Sequence, residues 1–283
     1  MTAVVPASAP VAQPLAPKPA PPGVPARYVI GTRVDGTTYE QATQILLDWA
    51  KAGESRYLCT TGAHGLVEAT ENPPFQAVLN GADLNVPDGI AAVWGLRGLG
   101  VKIPDRVYGP DLMLHLCQAA AKAGVPIGLY GSSQDRLDAL CERLPQKAPG
   151  LQIVSAISPP YRALTPEEDA TFAQELTDSG ARIVFVGLGC PKQETWCAKQ
   201  TAHIPAVLVA VGAAFDFHAG KLDQAPPRLQ KMGLEWAYRL AKEPKRLWKR
   251  YAKCVPQFMA GYLRQLARER VLGHANAPPR GNP

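Results

Sequence analysis

The sequence predicts an α/β fold, with a Rossmann-like, mostly parallel sheet flanked by helices and a C-terminal basic amphipathic helical appendage. Three observations support this prediction. Short apolar runs rich in Val, Ile and Leu alternate with amphipathic segments between residues 28 and 212, as expected for strands covered on both faces. A chain of 283 residues with 46% hydrophobic content can bury a large core. The positive charge is concentrated after residue 225.

Composition divides the chain into four segments. Residues 1–26 are rich in Pro and Ala, and Lys18 is the only charged side chain among them, so we expect a disordered tail there. Residues 27–225 contain the strands and helices of an α/β domain. Residues 226–272 form the helical appendage, and residues 273–283 form a second disordered tail.

Strands are predicted at short apolar runs that are bounded by turn residues. In chain order they are Tyr28–Val34, Arg56–Thr61, Ala82–Val86, Val125–Tyr130, Leu151–Ala156, Arg182–Gly187 and Ala206–Gly212. The helices predicted between them are Thr38–Lys51, Ile90–Leu99, Pro110–Ala123, Gln134–Leu144, Pro166–Ser179 and Lys192–Gln200. An N-cap residue, Thr165, and two acidic residues mark the start of the fifth helix. Repeated βα units imply right-handed crossovers, and ligands of such sheets bind beyond the carboxyl ends of the strands.

Charge and cysteine usage exclude several classes of protein. Residues 226–283 carry 13 Lys and Arg against 3 Asp and Glu, a net charge of +10, whereas the whole chain is +6. The remaining body is therefore acidic, which argues against a protein that coats nucleic acid. Six cysteines without C-x-x-C spacing indicate reduced thiols. The longest apolar run, Ile204–Phe215, is too short to cross a bilayer, and no signal peptide is evident, so we expect a cytoplasmic protein.

Polar residues follow several of the predicted strand ends. Asp88 in ADLNVPDGI either caps the next helix or acts as a general base. Arg106 in RVYGPDLM suits a phosphate or carboxylate, with a surface ion pair as the alternative. Gly131 and Ser132 in GLYGSS supply backbone N–H groups and a hydroxyl for a phosphate, although the dinucleotide fingerprint is incomplete.

Two later strands are also followed by candidate ligand contacts. In VFVGLGCPKQETW the candidates are Gly187, Gly189, Lys192, Gln193 and Glu194, and the alternative is a capped helix with solvated charges. Asp216 lies between two phenylalanines and suits a hydroxyl partner such as ribose. The neighbouring His218 is more typical of a structural residue. No histidine pair has metal-ligand spacing and no D-x-D motif occurs, so the sequence predicts no metal site.

Residues 226–272 are typical of basic amphipathic helices, with Pro244 and Pro256 placed as helix starts. Apolar and aromatic residues recur at helical spacing and are interleaved with Lys and Arg. This pattern, with Trp and Tyr included, is typical of a helix that lies on an anionic membrane surface. The alternative is a core-packed helix with a solvated basic face.

Five motifs in this order resemble the bacterial WecG/TagA/CpsF glycosyltransferase family: PDGI, RVYGPDLM, VGLGCPKQE, GAAFDFHAG and LEWAYRLAKEPKRLWKRY. The resemblance extends from about Tyr28 to Phe258. It implies inverting, metal-independent transfer of a sugar from a UDP-sugar to a polyprenyl-diphosphate-linked glycan, without a cofactor. It further implies a peripheral enzyme at the inner face of the cell membrane, in cell-surface or exopolysaccharide biosynthesis.

The resemblance also assigns roles to residues. Asp88 is expected to be the general base, and Thr60 and Gln193 occupy polar active-site positions. The arginines expected at the departing diphosphate are Arg106, Arg239, Arg246 and Arg250. Tyr130 and Asp216 are expected to hold the nucleoside.

The chain departs from the family at the end of the second predicted strand. Members often show T-x-N there, whereas this chain has Thr60, Thr61 and Gly62. The missing amide suggests a glucose-type donor in place of N-acetylmannosamine. Two other functions compete with glycosyl transfer: a nicotinamide-dependent dehydrogenase, and a peripheral membrane scaffold without catalysis. The sequence leaves open whether the chain forms a homo-oligomer.

Overall fold

The computed structural model describes residues 15–231 and 233–272. Residues 1–14 of the predicted N-terminal tail and the whole predicted C-terminal tail, residues 273–283, lie outside the described residues. The strands, in chain order, are β1 (Ala26–Val29), β2 (Thr32–Asp35), β3 (Arg56–Thr61), β4 (Leu84–Pro87), β5 (Ile127–Gly131), β6 (Ile153–Ile157), β7 (Ile183–Gly187) and β8 (Val207–Ala210). Strands β3 to β8 form one parallel sheet in the order β4-β3-β8-β7-β5-β6, while β1 and β2 pair as an antiparallel hairpin. The predicted parallel α/β fold is therefore confirmed.

Helices cover both faces of this sheet. In chain order they are α1 (Tyr39–Ala52), α2 (Ala63–Glu71), α3 (Pro73–Asn80), α4 (Ile90–Gly98), α5 (Gly109–Ala123), α6 (Gln134–Lys147), α7 (Pro166–Asp178), α8 (Lys192–Gln200), α9 (Ala214–His218), α10 (Pro227–Lys231), α11 (Glu235–Lys242) and α12 (Pro244–Leu272). The predicted start of α7 is confirmed, because Thr165 and Glu168 form a reciprocal capping box.

Helices α2 and α3 were not predicted from the sequence. The start of α2 carries no side-chain cap, because its N-cap residue is Gly62. The start of α3 does carry a signal: the Asn72 side chain accepts a hydrogen bond from the Phe75 N–H, and Pro73 follows at the first helical position.

The prediction of one strand over Tyr28–Val34 is wrong. The chain turns at Ile30 and Gly31, whose φ angles are 44° and 86°, and returns as β2. Glycine adopts such a positive φ without a steric penalty, so Gly31 allows the tight reversal. The apolar pattern does not reveal this turn, since both strands contribute buried valines to the same core.

Part of the predicted N-terminal tail lies against the body. The Lys18 N–H donates to the Asn80 carbonyl over 2.9 Å, and Val24 is buried in the core. The guanidinium of Arg33, also buried, donates to the Lys18 and Pro19 carbonyls and pairs with Asp35. Backbone carbonyls of this segment thus accept hydrogen bonds from a buried guanidinium. These contacts account for the ordered position of the segment, which its composition did not predict.

The core has two layers, one on each face of the sheet. Alternate residues of each strand point to opposite faces. Leu58, Phe185 and Val209 pack against α1, α5, α6 and α9 on one face. Their strand neighbours pack against α3, α7 and α8 on the other face.

A third hydrophobic cluster joins the appendage to the body. Cys254, Phe258 and Tyr262 of α12 are buried together with residues of β1, β2, α2 and α4. Helix α12 continues through Pro256, so the prediction of a helix start at this proline is wrong. Proline removes one backbone hydrogen bond. Burial of the apolar face on both sides of Pro256 accounts for the continuation of the helix.

Candidate active site

A cavity of about 610 Å³ lies beyond the carboxyl ends of β3, β4, β7 and β8. This is the position at which parallel α/β sheets bind ligands. Thr60, Asp88 and Gly187 line its floor, and residues of α10, α11 and α12 cover it. The appendage is therefore a wall of the cavity.

Asp88 follows β4 on the cavity floor. Its Oδ1 accepts a hydrogen bond of 2.6 Å from the Gly109 N–H at the start of α5. The N-cap of α4 is Gly89, so the alternative reading of Asp88 as a helix cap is wrong. Burial raises the pKa of the Asp88 carboxyl, the Gly109 N–H, Arg106 and Arg239 lower it, and the Glu235 carboxylate adds to the rise. A half-buried carboxyl with a raised pKa suits a general base.

Thr60 and Asp88 both come close to the backbone of Gly109. A Cβ atom at Gly109 would lie 3.5 Å from Asp88 Oδ1, 3.6 Å from Thr60 Oγ1 and only 2.9 Å from the Val211 carbonyl oxygen. The Thr60 hydroxyl donates to the Ala210 carbonyl over 2.9 Å. Thr60 thus has a fixed orientation beside the carboxyl of Asp88.

Gln193 hydrogen-bonds the backbone after two neighbouring strands, β7 and β8. Its Oε1 accepts from the Gly189 N–H over 3.1 Å and from the Gly212 N–H over 3.2 Å, and its Nε2 donates to Glu194 over 2.9 Å. Glu194 is buried, lines the cavity and leaves its Oε2 without a hydrogen-bond partner. Burial raises the pKa of Glu194 to about 7.

Arg106 lines the cavity from the loop before α5. Its Nη2 donates to the Glu235 carboxylate of α11 and to Gln230 Oε1 at 3.4 Å. Its guanidinium carbon lies 4.3 Å from the centre of the Tyr108 ring. The predicted alternative of a surface ion pair is wrong, because both ion-pair partners are largely buried at the cavity.

Two of the three predicted appendage arginines line the cavity, Arg239 from α11 and Arg250 from α12. Arg239 packs over the Phe217 ring at 5.6 Å, and its buried Nε has no hydrogen-bond partner. The side chain of Arg246 lies outside the described part of the structure. Arginines from two appendage helices thus meet the strand-end residues of the body.

The turn after β5 has a restricted backbone. Gly131 and Ser132 have φ angles of 108° and 67°, and a Cβ at Gly131 would lie 2.7 Å from the Gly187 carbonyl oxygen. Only glycine fits this contact. Ser132 and Asp216 line the cavity, and Asp216 pairs with Arg136 over 2.6 Å.

Three predicted ligand contacts do not line the cavity: Tyr130, Gly131 and Lys192. Tyr130 is buried in the core, stacked on Trp196 with ring centres 4.1 Å apart. Lys192 is exposed, with its Nζ 5.6 Å from the centre of the Tyr161 ring. His218 is a structural residue as expected, since it is buried and hydrogen-bonds the Pro110 carbonyl over 2.8 Å.

Several cavity residues were not identified from the sequence, among them His64, Tyr108, Glu235 and Trp236. Burial, with the charges of Arg250 and Lys253, lowers the pKa of His64 to about 4. Glu235 carried a signal, because it is one of only three acidic residues among 13 Lys and Arg after residue 225. Among the described residues, no three His, Cys, Asp or Glu side chains are grouped to hold a metal ion. No helix in the described ranges has both the length and the apolar content needed to span a bilayer.

Comparison with known proteins connects this geometry to a family. Residues 27–271 match the glycosyl transferase WecG/TagA/CpsF family. Over 198 residues the chain is 31% identical to the N-acetylglucosaminyldiphosphoundecaprenol N-acetyl-beta-D-mannosaminyltransferase of Bacillus spizizenii, and this alignment covers 70% of the chain and 74% of the relative.

Proposed function

The chain belongs to the WecG/TagA/CpsF family of glycosyltransferases, and from that premise we propose an inverting, metal-independent transfer from a UDP-sugar. The acceptor is a polyprenyl-diphosphate-linked glycan in cell-surface or exopolysaccharide biosynthesis. The observation that carries the proposal is the meeting of Asp88 and Thr60 with Arg106, Arg239 and Arg250 in one cavity. A base and several arginines in one cavity match the two changes of charge during glycosyl transfer, loss of a proton by the acceptor and gain of negative charge by the leaving group.

The reaction begins with the acceptor hydroxyl. Asp88 takes its proton, and the oxygen attacks the anomeric carbon from the face opposite UDP. The bond from this carbon to the diphosphate oxygen breaks, so UDP leaves with the electron pair and the configuration inverts. The raised pKa makes Asp88 a stronger base than an exposed aspartate.

The leaving diphosphate gains negative charge, and preorganised positive groups stabilise such charge. Arg106, Arg239 and Arg250 line the cavity, and Arg246 lies in the same helix as Arg250. We assign these arginines to the diphosphate. Because three of the four come from the appendage, activity requires residues 226–272 as well as the α/β catalytic domain, 27–225.

The nucleoside side of the donor is assigned to the β5 and β7 strand ends. Gly131, Ser132, Gly187 and Gly189 place backbone groups there, and Asp216 faces the same cavity with Arg136 as its partner. Tyr130 supports this region from within the core and is not assigned a contact with the nucleoside. Lys192 lies outside the cavity lining and is likewise not assigned a contact with the donor.

The donor sugar is a glucose-type or N-acetylhexosamine-type residue. The name of the Bacillus relative specifies an N-acetylmannosaminyl donor and an N-acetylglucosaminyl-diphosphoundecaprenol acceptor. Gly62 replaces the asparagine of the common motif, and a Cβ there would lie 3.8 Å from Asp88 Oδ2. Position 62 therefore offers no side-chain amide to the donor next to the base, which favours a difference in the donor.

The appendage is assigned to the anionic inner surface of the cell membrane. Helix α12 exposes an apolar stripe, defined as Trp248, Val255, Met259 and Leu263. Basic side chains flank it, at Lys245, Lys249, Arg264 and Arg268, and are exposed as well. An apolar stripe bordered by cations is the pattern of a helix that lies in the membrane interface. The acceptor lipid would then reach the cavity from the same surface.

A donor screen tests this function. Purified full-length protein is incubated with UDP-glucose, UDP-N-acetylglucosamine or UDP-N-acetylmannosamine and a panel of polyprenyl-diphosphate-linked saccharides, and product is followed by mass spectrometry. We expect one donor to give an elongated lipid-linked product and free UDP. Parallel titrations with UDP and NADH address the dehydrogenase alternative, because binding of NADH without UDP would contradict glycosyl transfer. Membrane binding with no turnover of any donor would favour the scaffold alternative.

A further inference from the structure

We propose that Glu235 is a positioning residue that aligns Arg106 for the diphosphate of a nucleotide donor. The first turn of α11 would then help to build the site as well as cover it. This inference rests on the proposed function, since it concerns a diphosphate ligand.

Arg106 is held by three neighbours. Its Nη2 donates to Glu235 and, over 3.4 Å, to Gln230, while its guanidinium carbon lies 4.3 Å from the centre of the Tyr108 ring. The side chains of Arg106 and Glu235 are only 14% and 8% exposed. A charge-assisted hydrogen bond that is shielded from water in this way restricts the guanidinium strongly.

These contacts leave part of the guanidinium for a ligand. Among the described residues, both of its hydrogen bonds start from Nη2, so Nε and Nη1 remain for the cavity that Arg106 lines. A planar group that is held at one nitrogen and against a ring presents its other N–H groups in a fixed direction. Such a preorganised fork matches two oxygens of a phosphate.

Glu235 also affects the charge balance around the base. Both arginines at this end of the cavity, Arg106 and Arg239, favour the charged form of Asp88, whereas Glu235 opposes it. An Arg106 without its carboxylate partner would gain energy by turning to Asp88, and a salt-bridged aspartate is a weaker base. The ion pair with Glu235 therefore keeps Arg106 directed at the ligand and away from the base.

The ion pair links the appendage to the body across 129 positions of sequence. Glu235 is the first residue of α11, and only Glu243 separates α11 from α12. The orientation of Arg106 consequently depends on where the appendage sits. Gln230 of α10, also in the appendage, provides a second and neutral contact to Arg106.

Isothermal titration with UDP tests this role. Full-length wild-type protein is compared with Glu235→Gln, Arg106→Gln and the double variant, with Asp223→Asn as a control that removes an exposed carboxylate outside this cavity. We expect Glu235→Gln to bind UDP about tenfold more weakly, the scale of one lost charge-assisted hydrogen bond. Arg106→Gln should lose at least as much, and the double variant should bind no more weakly than Arg106→Gln. This lack of additivity would show that Glu235 acts through Arg106.

The outcomes separate this inference from the proposed function. If wild-type protein binds UDP and Glu235→Gln binds it equally well, or if the two losses add, the role of Glu235 is overturned while the function stands. If wild-type protein binds no UDP, the proposed function fails and this inference fails with it. If Glu235→Gln shows no unfolding transition in a thermal melt, Glu235→Asp is used in its place. This variant keeps the negative charge on a shorter side chain, and we expect it to bind UDP more weakly than wild-type protein does. Unchanged affinity in that folded variant would likewise overturn the role.

Discussion

At the scale of single residues, the environment of Asp88 decides its chemistry. The residue type alone is compatible with a helix cap, but Gly89 takes the cap position and Gly109 donates to the Asp88 carboxyl. Burial raises its pKa, and one opposing carboxylate and two arginines surround it. These contacts leave a carboxyl that ionises less readily than an exposed aspartate and accepts a proton more readily.

Asp88→Asn should lower kcat by roughly 10²–10⁴-fold, the usual contribution of a general base. UDP affinity and the thermal midpoint should change little, because the amide keeps the size of the carboxylate. Asp48→Asn on α1, an exposed carboxylate away from the cavity, serves as the matched control. Turnover of Asp88→Asn at the wild-type rate would remove Asp88 from this role.

The pH profile of kcat/KM gives a second readout. The carboxylate form of Asp88 is the active one, so activity should fall as the pH drops through its pKa. Because that pKa is raised, the acidic limb should lie at a higher pH than for an ordinary aspartate. Glu194, whose pKa is raised to about 7, also titrates near this range. If the acidic limb persists in Glu194→Gln, the ionisation of Asp88 accounts for it. If the limb disappears in that variant, the assignment to Asp88 is contradicted.

Gly62→Asn should alter donor choice. Gly62 has an extended backbone, and a Cβ there meets Asp88 Oδ2 at an ordinary contact distance of 3.8 Å, so a side chain can start from this position without backbone strain or a Cβ clash. An added amide beside the base can hydrogen-bond an N-acetyl group. We expect the ratio of kcat/KM values for UDP-N-acetylmannosamine over UDP-glucose to rise about tenfold, the scale of one such bond. Gly62→Ala, which fills space without an amide, is the control, and an equal rise in both variants would contradict the explanation.

At the scale of elements, α12 carries two apolar surfaces, of which one is buried against the body and the other is exposed. Cys254, Phe258 and Tyr262 pack into the third core cluster, while the apolar stripe of α12 is exposed. Sequence periodicity predicted an amphipathic helix and left open whether its apolar side meets the core or a membrane. The structure provides an apolar surface for each, since the helix is apolar over more than one face.

Adding charge to the stripe should weaken membrane binding. Met259→Glu with Leu263→Glu should abolish flotation with vesicles of phosphatidylglycerol and phosphatidylethanolamine, because burial of each side chain contributes about 1.5–3 kcal/mol. The control is Ala260→Glu with Ala267→Glu, which adds the same charge at exposed positions outside the stripe. Equal loss in both double variants would mean that net charge, and not the stripe, holds the protein on the vesicle.

At the scale of the whole molecule, the acidic body and the basic appendage contribute different residues to one cavity. The acidic body supplies Thr60, Asp88 and the glycine turns, and the basic appendage supplies Arg239 and Arg250 to the same cavity. Neither part forms the cavity alone.

Deletion of residues 226–283 should therefore abolish flotation and reduce transfer strongly. The loss of two cavity arginines accounts for the reduced transfer, and the loss of the basic stripe-bearing helix accounts for the lost flotation. A second truncation after Leu272 keeps α12 and should retain both properties. If the protein that lacks residues 226–283 still floats with the vesicles, the membrane contact lies elsewhere in the chain.

The sequence by itself determined the alternation of strands and helices, the strand-end positions of Asp88, Gln193 and Asp216, and the basic character of the appendage. These properties depend on periodicity and composition, which are local and can be read from neighbouring residues. The family resemblance rests on the same local motifs.

Only the tertiary structure decided which distant residues meet. Glu235 pairs with Arg106 across 129 positions of sequence. Tyr130 is buried in the core and does not contact the cavity. One predicted strand is a hairpin of two strands. Helix α12 continues through Pro256, where packing against the body outweighs the lost hydrogen bond. Such contacts depend on how whole elements pack, and the free energy of that packing is shared among residues far apart in the chain.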